Sequence, residues 1–459
     1  MTAGGRFLQD RQLVLELDRL LRRHVSEVRD YTWAFHRRWA KKGVTTMRGP
    51  GWAVRPFLLP VARMHFIASA FHGALSALRG AILAAAAAGR GAVTRLLPVH
   101  PQFEDCFDVA GGASSPAFLS HFRPDGFLFE DRFVLSEINY GNGIIISCGY
   151  TEAVADYWRH HPLIKRLGWD VERMHCRPLP WYINVARRFA RPVASPSVAL
   201  LAQSEEWKTM LGYPKRTRDQ IRFVCRQFEK AGMRPRTVTE KDVSVDRRGN
   251  LCFDDDGRRV DLLMFITVGS TFLDRPELLR KRGALHHLTR PRIGDTWVLK
   301  PLSGLMVDKG ALPLLGRIDG ARRMEDGFRF EIPHTEYPIE AGAPRYLRGR
   351  AHWVIKRSFD GKDTSVGAVS TPAAWRSAVD AAVNGYNYVA QRYVSMPRAD
   401  VPVFIDEQQL EWVPSRVELS PFIYDGAFGG AGVRYAPDAE GVVMTDFPEG
   451  YGYSIALAV

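Results

Sequence analysis

The sequence predicts a mixed chain, α/β in its middle and α+β around it. Three observations carry that reading. Apolar residues recur at helical spacing through the first hundred positions. Short strand-like runs bounded by glycine and proline take over beyond them. A strand–helix–strand succession then fills the middle of the chain.

The 459 residues allow about three domains at ~150 residues each. Apolar residues make up 46% and charged residues 25%. That usage excludes a disordered chain, a collagen-like repeat and a disulfide-stapled miniprotein. The net charge of +13 favours anionic partners: phosphates, carboxylates, nucleic acid or an anionic membrane. The five cysteines, Cys106, Cys148, Cys176, Cys225 and Cys252, contain no Cys-x-x-Cys pair, which argues against a disulfide framework or a zinc ribbon. The first residues carry no signal-peptide pattern. The most apolar stretch, 64–89, is interrupted by His65, His72 and Arg79, so no membrane span is expected. These features point to the reducing cytoplasm and to no membrane partner.

Residues 1–100 read as a helical leader, with Leu13, Leu15, Leu17, Leu20, Leu21, Val25 and Val28 at helical spacing and an Ala/Leu-rich helix over 58–97. Its Trp33, Phe35 and Trp39 are assigned to a core rather than to a base-stacking platform. Residues 101–197 begin with short strands and glycine turns, then turn helical over 152–193. Residues 198–302 hold the strand Val198–Ala202, an amphipathic helix over 216–232 and strands near 237–239, 251–253 and 260–266, the pattern of a parallel-sheet α/β domain. Residues 303–459 hold strand-like runs at 353–356, 388–393, 414–424 and 433–436.

The segment 122–140 is the most informative. Two strand-like runs flank Glu130-Asp131-Arg132, and a three-residue loop would pair Phe129 with Phe133, Phe127 with Leu135, Asp125 with Glu137 and Arg123 with Asn139. All eight would then share one face. Opposed Cβ atoms lie roughly 5 Å apart, so Asp125 and Glu137 repel unless a cation sits between them. Oxygen ligands suit a hard divalent ion, and Mg²⁺ shared with phosphate oxygens fits best. Asp125, Glu137 and Asn139 are the candidate metal ligands, with Arg123 beside them. The competing reading is a surface hairpin with a salt-bridged arginine.

A second signal is the strand ending at Lys356, followed by a polar loop from Ser358 through Gly361 to Gly367. A lysine beside a glycine loop suits phosphate. No Walker A loop is present. Upstream, a helix is expected after Ser303-Gly304, and Lys309 is a second candidate phosphate contact. Downstream, the backbone at Ala390 and Gln391 could meet a purine edge. Gln391 is polar within an apolar run and needs a partner, either there or on a neighbouring backbone group. The run from Gly426 to Gly432 reads as a Gly-rich strand connection, with Arg434 as a phosphate ligand. The pairs His160-His161 and His286-His287 lack further ligands at metal spacing.

Together these pieces resemble the ATP-grasp superfamily. Arg123-Pro-Asp125 and Glu137-Ile-Asn139 are similar to its Arg-x-Asp and Glu-x-Asn signature, as in D-alanine–D-alanine ligases. The resemblance implies Mg²⁺ on Asp125, Glu137 and Asn139, and ATP on Lys309, Lys356, the loop from Ser358 through Gly361 to Gly367, and the hinge at Ala390-Gln391. It assigns Arg123 to the charge of the reacting carboxylate or acyl phosphate. The hairpin precedes both lysines, an order similar to the circularly permuted, glutathionylspermidine synthetase-like group. In that reading 198–302 is the pre-ATP-grasp domain, 303–459 holds the nucleotide-binding lobes, and the hairpin packs in space against strands 412–436.

The resemblance implies an ATP-dependent carboxylate–amine ligase that forms an amide through an acyl phosphate. Mg²⁺ bridges the phosphates, and the two lysines and Arg434 balance their charge. Its partners are a small-molecule or peptide carboxylate and an amine. The leader is left for the acceptor site or a homodimer face. Two alternatives stand beside this: a phosphotransferase on the same fold, and a basic nucleic-acid-binding protein. The latter ranks last because Arg22-Arg23, Arg37-Arg38 and Lys41-Lys42 are dispersed.

Overall fold

A computed structural model describes residues 5–41, 53–97, 108–140, 144–174, 178–190, 193–202, 216–265, 287–288, 290–300, 308–318, 321–358, 364–385, 388–405, 408–438 and 452–459. The chain opens with α1 (Arg11–Arg23) and α2 (Val25–Lys41), followed by β1 (Phe57–Leu59), α3 (Val61–Ala87), α4 (Arg90–Leu96) and α5 (Val109–Ser114). The hairpin is β2 (His121–Leu128) and β3 (Arg132–Asn139). Helices α6 (Ile144–His160), α7 (Pro162–Arg166), α8 (Val171–Met174) and α9 (Pro178–Phe189) come next.

The middle of the chain runs β4 (Ser197–Leu201), α10 (Arg216–Lys230), β5 (Arg234–Val238), β6 (Val243–Val245), β7 (Leu251–Phe253), β8 (Leu262–Phe265), β9 (Arg292–Ile293) and β10 (Thr296–Leu299). Beyond it lie a 3₁₀ turn (Lys309–Ala311), α11 (Leu312–Ile318), β11 (Ala321–Arg323), β12 (Arg329–Glu331), β13 (Thr335–Glu336), α12 (Ala343–Arg348) and β14 (Trp353–Arg357). The chain closes with β15 (Thr364–Val366), α13 (Pro372–Asn384), β16 (Tyr388–Arg392), β17 (Arg398–Phe404), β18 (Leu410–Tyr424), β19 (Ala427–Pro437) and β20 (Gly452–Ala458).

Nine of these strands form one sheet in the order β1-β20-β19-β18-β2-β3-β12-β11, with β17 also on β18. The hairpin thus lies against the C-terminal strand β18. Period-two alternation separates the faces of this sheet. Phe122, Leu128, Leu135, Ile138, Leu419, Val433 and Tyr435 point to one side, where α3 covers them with Met64, Ile67, Phe71, Leu75, Leu78 and Ile82. Those positions recur every three or four residues, the apolar stripe of a helix facing a core. By length and composition α3 could cross a membrane; here its stripe is spent on the sheet.

The leader is not wholly helical. Phe57, Leu58 and Leu59 form an edge strand parallel to β20, because the stretch is apolar on both faces. Leu58 packs with Leu17, Leu21, Phe35, Trp39 and Trp158 on the opposite side of the sheet, so Phe35 and Trp39 are core as expected. Buried Arg55 ties this segment down, reaching Asp18 at 2.8 Å and the Asp400 carbonyl at 2.9 Å.

The middle of the chain matches its pattern. A second sheet runs β5-β4-β8-β10-β9, parallel except for β9, with α10 against it. A third, β13-β16-β14-β15, is backed by α12 and α13 through Tyr346, Trp353, Trp375 and Val379. One expectation needs correcting. The glycines 429, 430 and 432 are no connection but lie inside β19. The turn is Asp425-Gly426, both at positive φ, as two-residue hairpins require. Gly432 stays a glycine because a Cβ there would meet the Tyr453 hydroxyl at 2.4 Å.

His161, at the start of α7, lies among the rings of Tyr31, Tyr157 and Trp158, and neither ring nitrogen has a hydrogen-bond partner among the described residues. Burial pushes its pKa down to about 3, against an ordinary 6.5. Between those values the unfolded chain binds a proton that the folded chain refuses. Stability is therefore present above 6.5 and is lost as pH falls toward 3, by up to about 1.4 kcal/mol per pH unit. His161→Phe is expected to flatten that loss and to leave stability at pH 7 unchanged or raised. Urea unfolding at pH 7 and pH 5 checks it; an unaltered pH dependence would count against the assignment.

Candidate active site

The hairpin register is correct at its polar end: Arg123 faces Asn139 and Asp125 faces Glu137. Its apolar end is shifted. Gly126 pairs with Leu135, Phe127 with Val134 and Leu128 with Phe133, because Ser136 is an extra residue in β3. This β-bulge reverses the side-chain alternation. Leu135 and Phe133 consequently face the α3 core, while Glu137 and Asn139 face the opposite side, so the eight residues do not share one face. Gly126 is required at the bulge, since a Cβ would stand 2.4 Å from the Val134 carbonyl oxygen.

The polar face continues across the sheet. Asp125 in β2 lies beside β18, whose Glu418 pairs directly with Arg434 of β19, and Arg434 pairs with Tyr453 of β20. Asp125 is 1% exposed. Arg123 Nε and Nη2 donate to its two oxygens at 2.9 and 3.1 Å, Asn139 Nδ2 donates at 3.0 Å, and Arg434 Nη2 donates at 2.6 Å. Burial alone would raise its pKa, but the guanidiniums of Arg123 and Arg434 outweigh that and hold it below the ordinary range. Glu418 lies 2.8 Å from Arg434 Nη2, and burial pushes it up against the pull of that guanidinium. Sequence reading missed Glu418; a charged residue between Val417 and Leu419 in an apolar strand was its only signal.

Both lysines reach this face. Lys309 Nζ stands 3.1 Å from Glu137 Oε1. Lys356, from β14 of the third sheet, donates to the Ser136 carbonyl at 2.8 Å and to Gln391 Oε1 at 2.8 Å. The carbonyl it takes belongs to the bulge residue. Burial pushes Lys356 down to about 8, with Glu137 pulling the other way. Gln391 therefore has a definite partner, a lysine rather than a backbone group, and its amide donates on to Thr335 Oγ1 at 3.2 Å.

The remaining predicted positions are placed as follows. Ala390 and Gln391 lie in a strand flanked on both sides, by β14 and by β13, which turns their backbone toward strands and not toward a purine edge. Gly367 sits at the end of β14 away from Lys356, its amide donating to the Trp353 carbonyl. Ser358 is buried just past β14. Gly361 and the expected helix start at Ser303-Gly304 lie outside the described residues.

Asp125, Glu137 and Asn139 offer oxygen donors on one face, the chemistry a hard divalent cation takes. Among the described residues no group of three His, Cys, Asp or Glu is placed to hold a metal, and the positive charge beside the carboxylates comes from Arg123, Arg434 and Lys309. The donor set fits such an ion on condition that Asp125 gives up one guanidinium.

No family model and no curated protein matches the chain. Among solved structures it is similar to D-alanyl-alanine synthetase A from Vibrio cholerae O1 biovar eltor str. N16961, at 11% identity and a TM-score of 0.33, covering 57% of this chain and 74% of that one. It is also similar to a candidate gamma-glutamylcysteine synthetase from Methylobacillus flagellatus KT, at 9% identity and a TM-score of 0.39, covering 70% and 76%. Likeness at this level leaves the chemistry to be argued from the site.

Asp125→Asn removes the buried charge that two half-buried guanidiniums share. A loss of about 3–5 kcal/mol is expected, the cost of breaking a buried pair. Urea unfolding measures it. A loss under about 1 kcal/mol, the scale of an exposed pair, would contradict the closure of this face.

Proposed function

We propose that the chain is an ATP-dependent carboxylate–amine ligase with an ATP-grasp-like site in permuted order. One observation carries the reading: Lys309 and Lys356 come from separate elements onto the hairpin of Asp125 and Glu137, with Arg123 and Arg434 beside them. Four cations around three buried or half-buried carboxylates suit a polyanionic substrate. The hairpin's place beside β18 supports the permuted order, since it brings residues far apart in the chain onto one face.

In this reading Lys309 and Lys356 hold phosphate oxygens. Gln391 aims Lys356, and Ala390 keeps β16 packed beneath it. Asp125, Glu137 and Asn139 would hold Mg²⁺, which when bound would neutralise phosphate charge. Arg123 and Arg434 orient the substrate carboxylate. A carboxylate oxygen takes the γ-phosphoryl group and ADP leaves. The amine nitrogen then attacks the acyl carbon, phosphate departs with the C–O electron pair, and the amine loses its proton. Placement and charge balance do most of this work.

MgATP at ~100 times its dissociation constant should stabilise the fold by about 2.7 kcal/mol in a thermal titration. Lys356→Met is expected to abolish that shift. Because Lys356 is charged only below about 8, the shift should weaken as pH rises through that value, and Lys356→Arg should restore it. A shift that Lys356→Met leaves intact would refute the nucleotide reading. Glu137→Gln should retain the fold and lose at least a hundredfold in carboxylate-dependent ADP release; undiminished release would refute the ligase.

A further inference from the structure

Glu418 has no role in the chemistry above, yet it stands at the centre of the polar face. It is 5% exposed and lies directly opposite Arg434 in the β18–β19 ladder. β18 separates β19 from β2, so Arg434 reaches Asp125 across the strand that carries Glu418. Two strand spacings put those backbones roughly 10 Å apart. A single nitrogen, Arg434 Nη2, stands 2.6 Å from Asp125 Oδ2 and 2.8 Å from Glu418 Oε2. The same guanidinium thus has a near partner beside it and a far partner two strands away.

We propose that Glu418 is a positioning residue: it takes the Arg434 guanidinium from Asp125 when a divalent cation enters the Asp125–Glu137–Asn139 face. The inference rests on the reading of that face as a cation site. A cation on Asp125 and a guanidinium 2.6 Å from the same carboxylate repel one another. Arg434 must move, and a buried charge that leaves its partner with nowhere to go is costly. Glu418 removes that cost, because it already touches the guanidinium. Asp125 meanwhile keeps Arg123, whose two nitrogens grip it independently. Glu418 therefore sets how readily the cation enters and where Arg434 stands once it has.

The test is Mn²⁺ binding to the full chain, read from the paramagnetic resonance of unbound Mn²⁺. Four proteins are compared: wild type, Glu418→Gln, Arg434→Met and the double variant. Glu418→Gln should weaken Mn²⁺ about tenfold, since the guanidinium then stays on Asp125. Arg434→Met should tighten it. The double variant should bind like Arg434→Met alone, because Glu418 acts only through Arg434. That last comparison does not need Glu418→Gln to fold by itself. Unchanged affinity in Glu418→Gln would overturn the exchange, and so would weaker binding in the double variant than in Arg434→Met, which would make Glu418 a direct ligand. No Mn²⁺ binding by the folded wild type would overturn the cation site itself, and the exchange with it.

Discussion

The Asp125 carboxylate, closed off from water and held by guanidiniums from both flanks, is the constraint on which the site depends. A carboxylate at 1% exposure cannot stay ionised without compensation. Its compensation comes from Arg123 two residues away and from Arg434 more than three hundred residues away in sequence. To place both, β2 must lie next to β18 and β18 next to β19. The central order of the nine-stranded sheet and the charge balance of its polar face are thus one requirement. The α3 stripe secures it from behind, by covering the apolar side of the same strands.

A single inserted residue sets the rest. The bulge at Ser136 turns Glu137 and Asn139 to the polar side while Leu135 and Phe133 stay in the core. It also presents the Ser136 carbonyl to Lys356. The third sheet is therefore fastened to the hairpin by a lysine whose other acceptor, Gln391, belongs to its own sheet. A lysine held by neutral acceptors is easier to draw away than one in an ion pair. A stronger acceptor, such as a phosphate oxygen, could take Lys356 without leaving a buried carboxylate bare.

Much of this was legible in the sequence, and most of the failures share a cause. Alternation and turn chemistry give the α/β middle, the hairpin and the pairing of Asp125 with Glu137. They cannot reveal a bulge, because Ser136 fits either alternation, so the apolar half of the register slipped by one. Phe57–Leu59 is too short to show a period, and its strand character comes only from β20 beside it. The glycines of β19 signal turns locally, yet Gly429 makes room for the Tyr424 ring and Gly432 for Tyr453. Ala390 and Gln391 looked available to a ligand because the two-residue strand β13 leaves no trace in the pattern. Glu418 was missed for a different reason: its meaning lies wholly in its neighbours.

The most direct measurement is a crystal structure of the chain grown with Mg²⁺ and a non-hydrolysable ATP analogue. Triphosphate density is expected between Lys356 and Lys309, with the metal on Asp125, Glu137 and Asn139 and the Lys356–Ser136 contact broken. A nucleotide bound elsewhere, or a polar face with all its present ion pairs at saturating nucleotide, would contradict the assignment of this sheet face to phosphate chemistry.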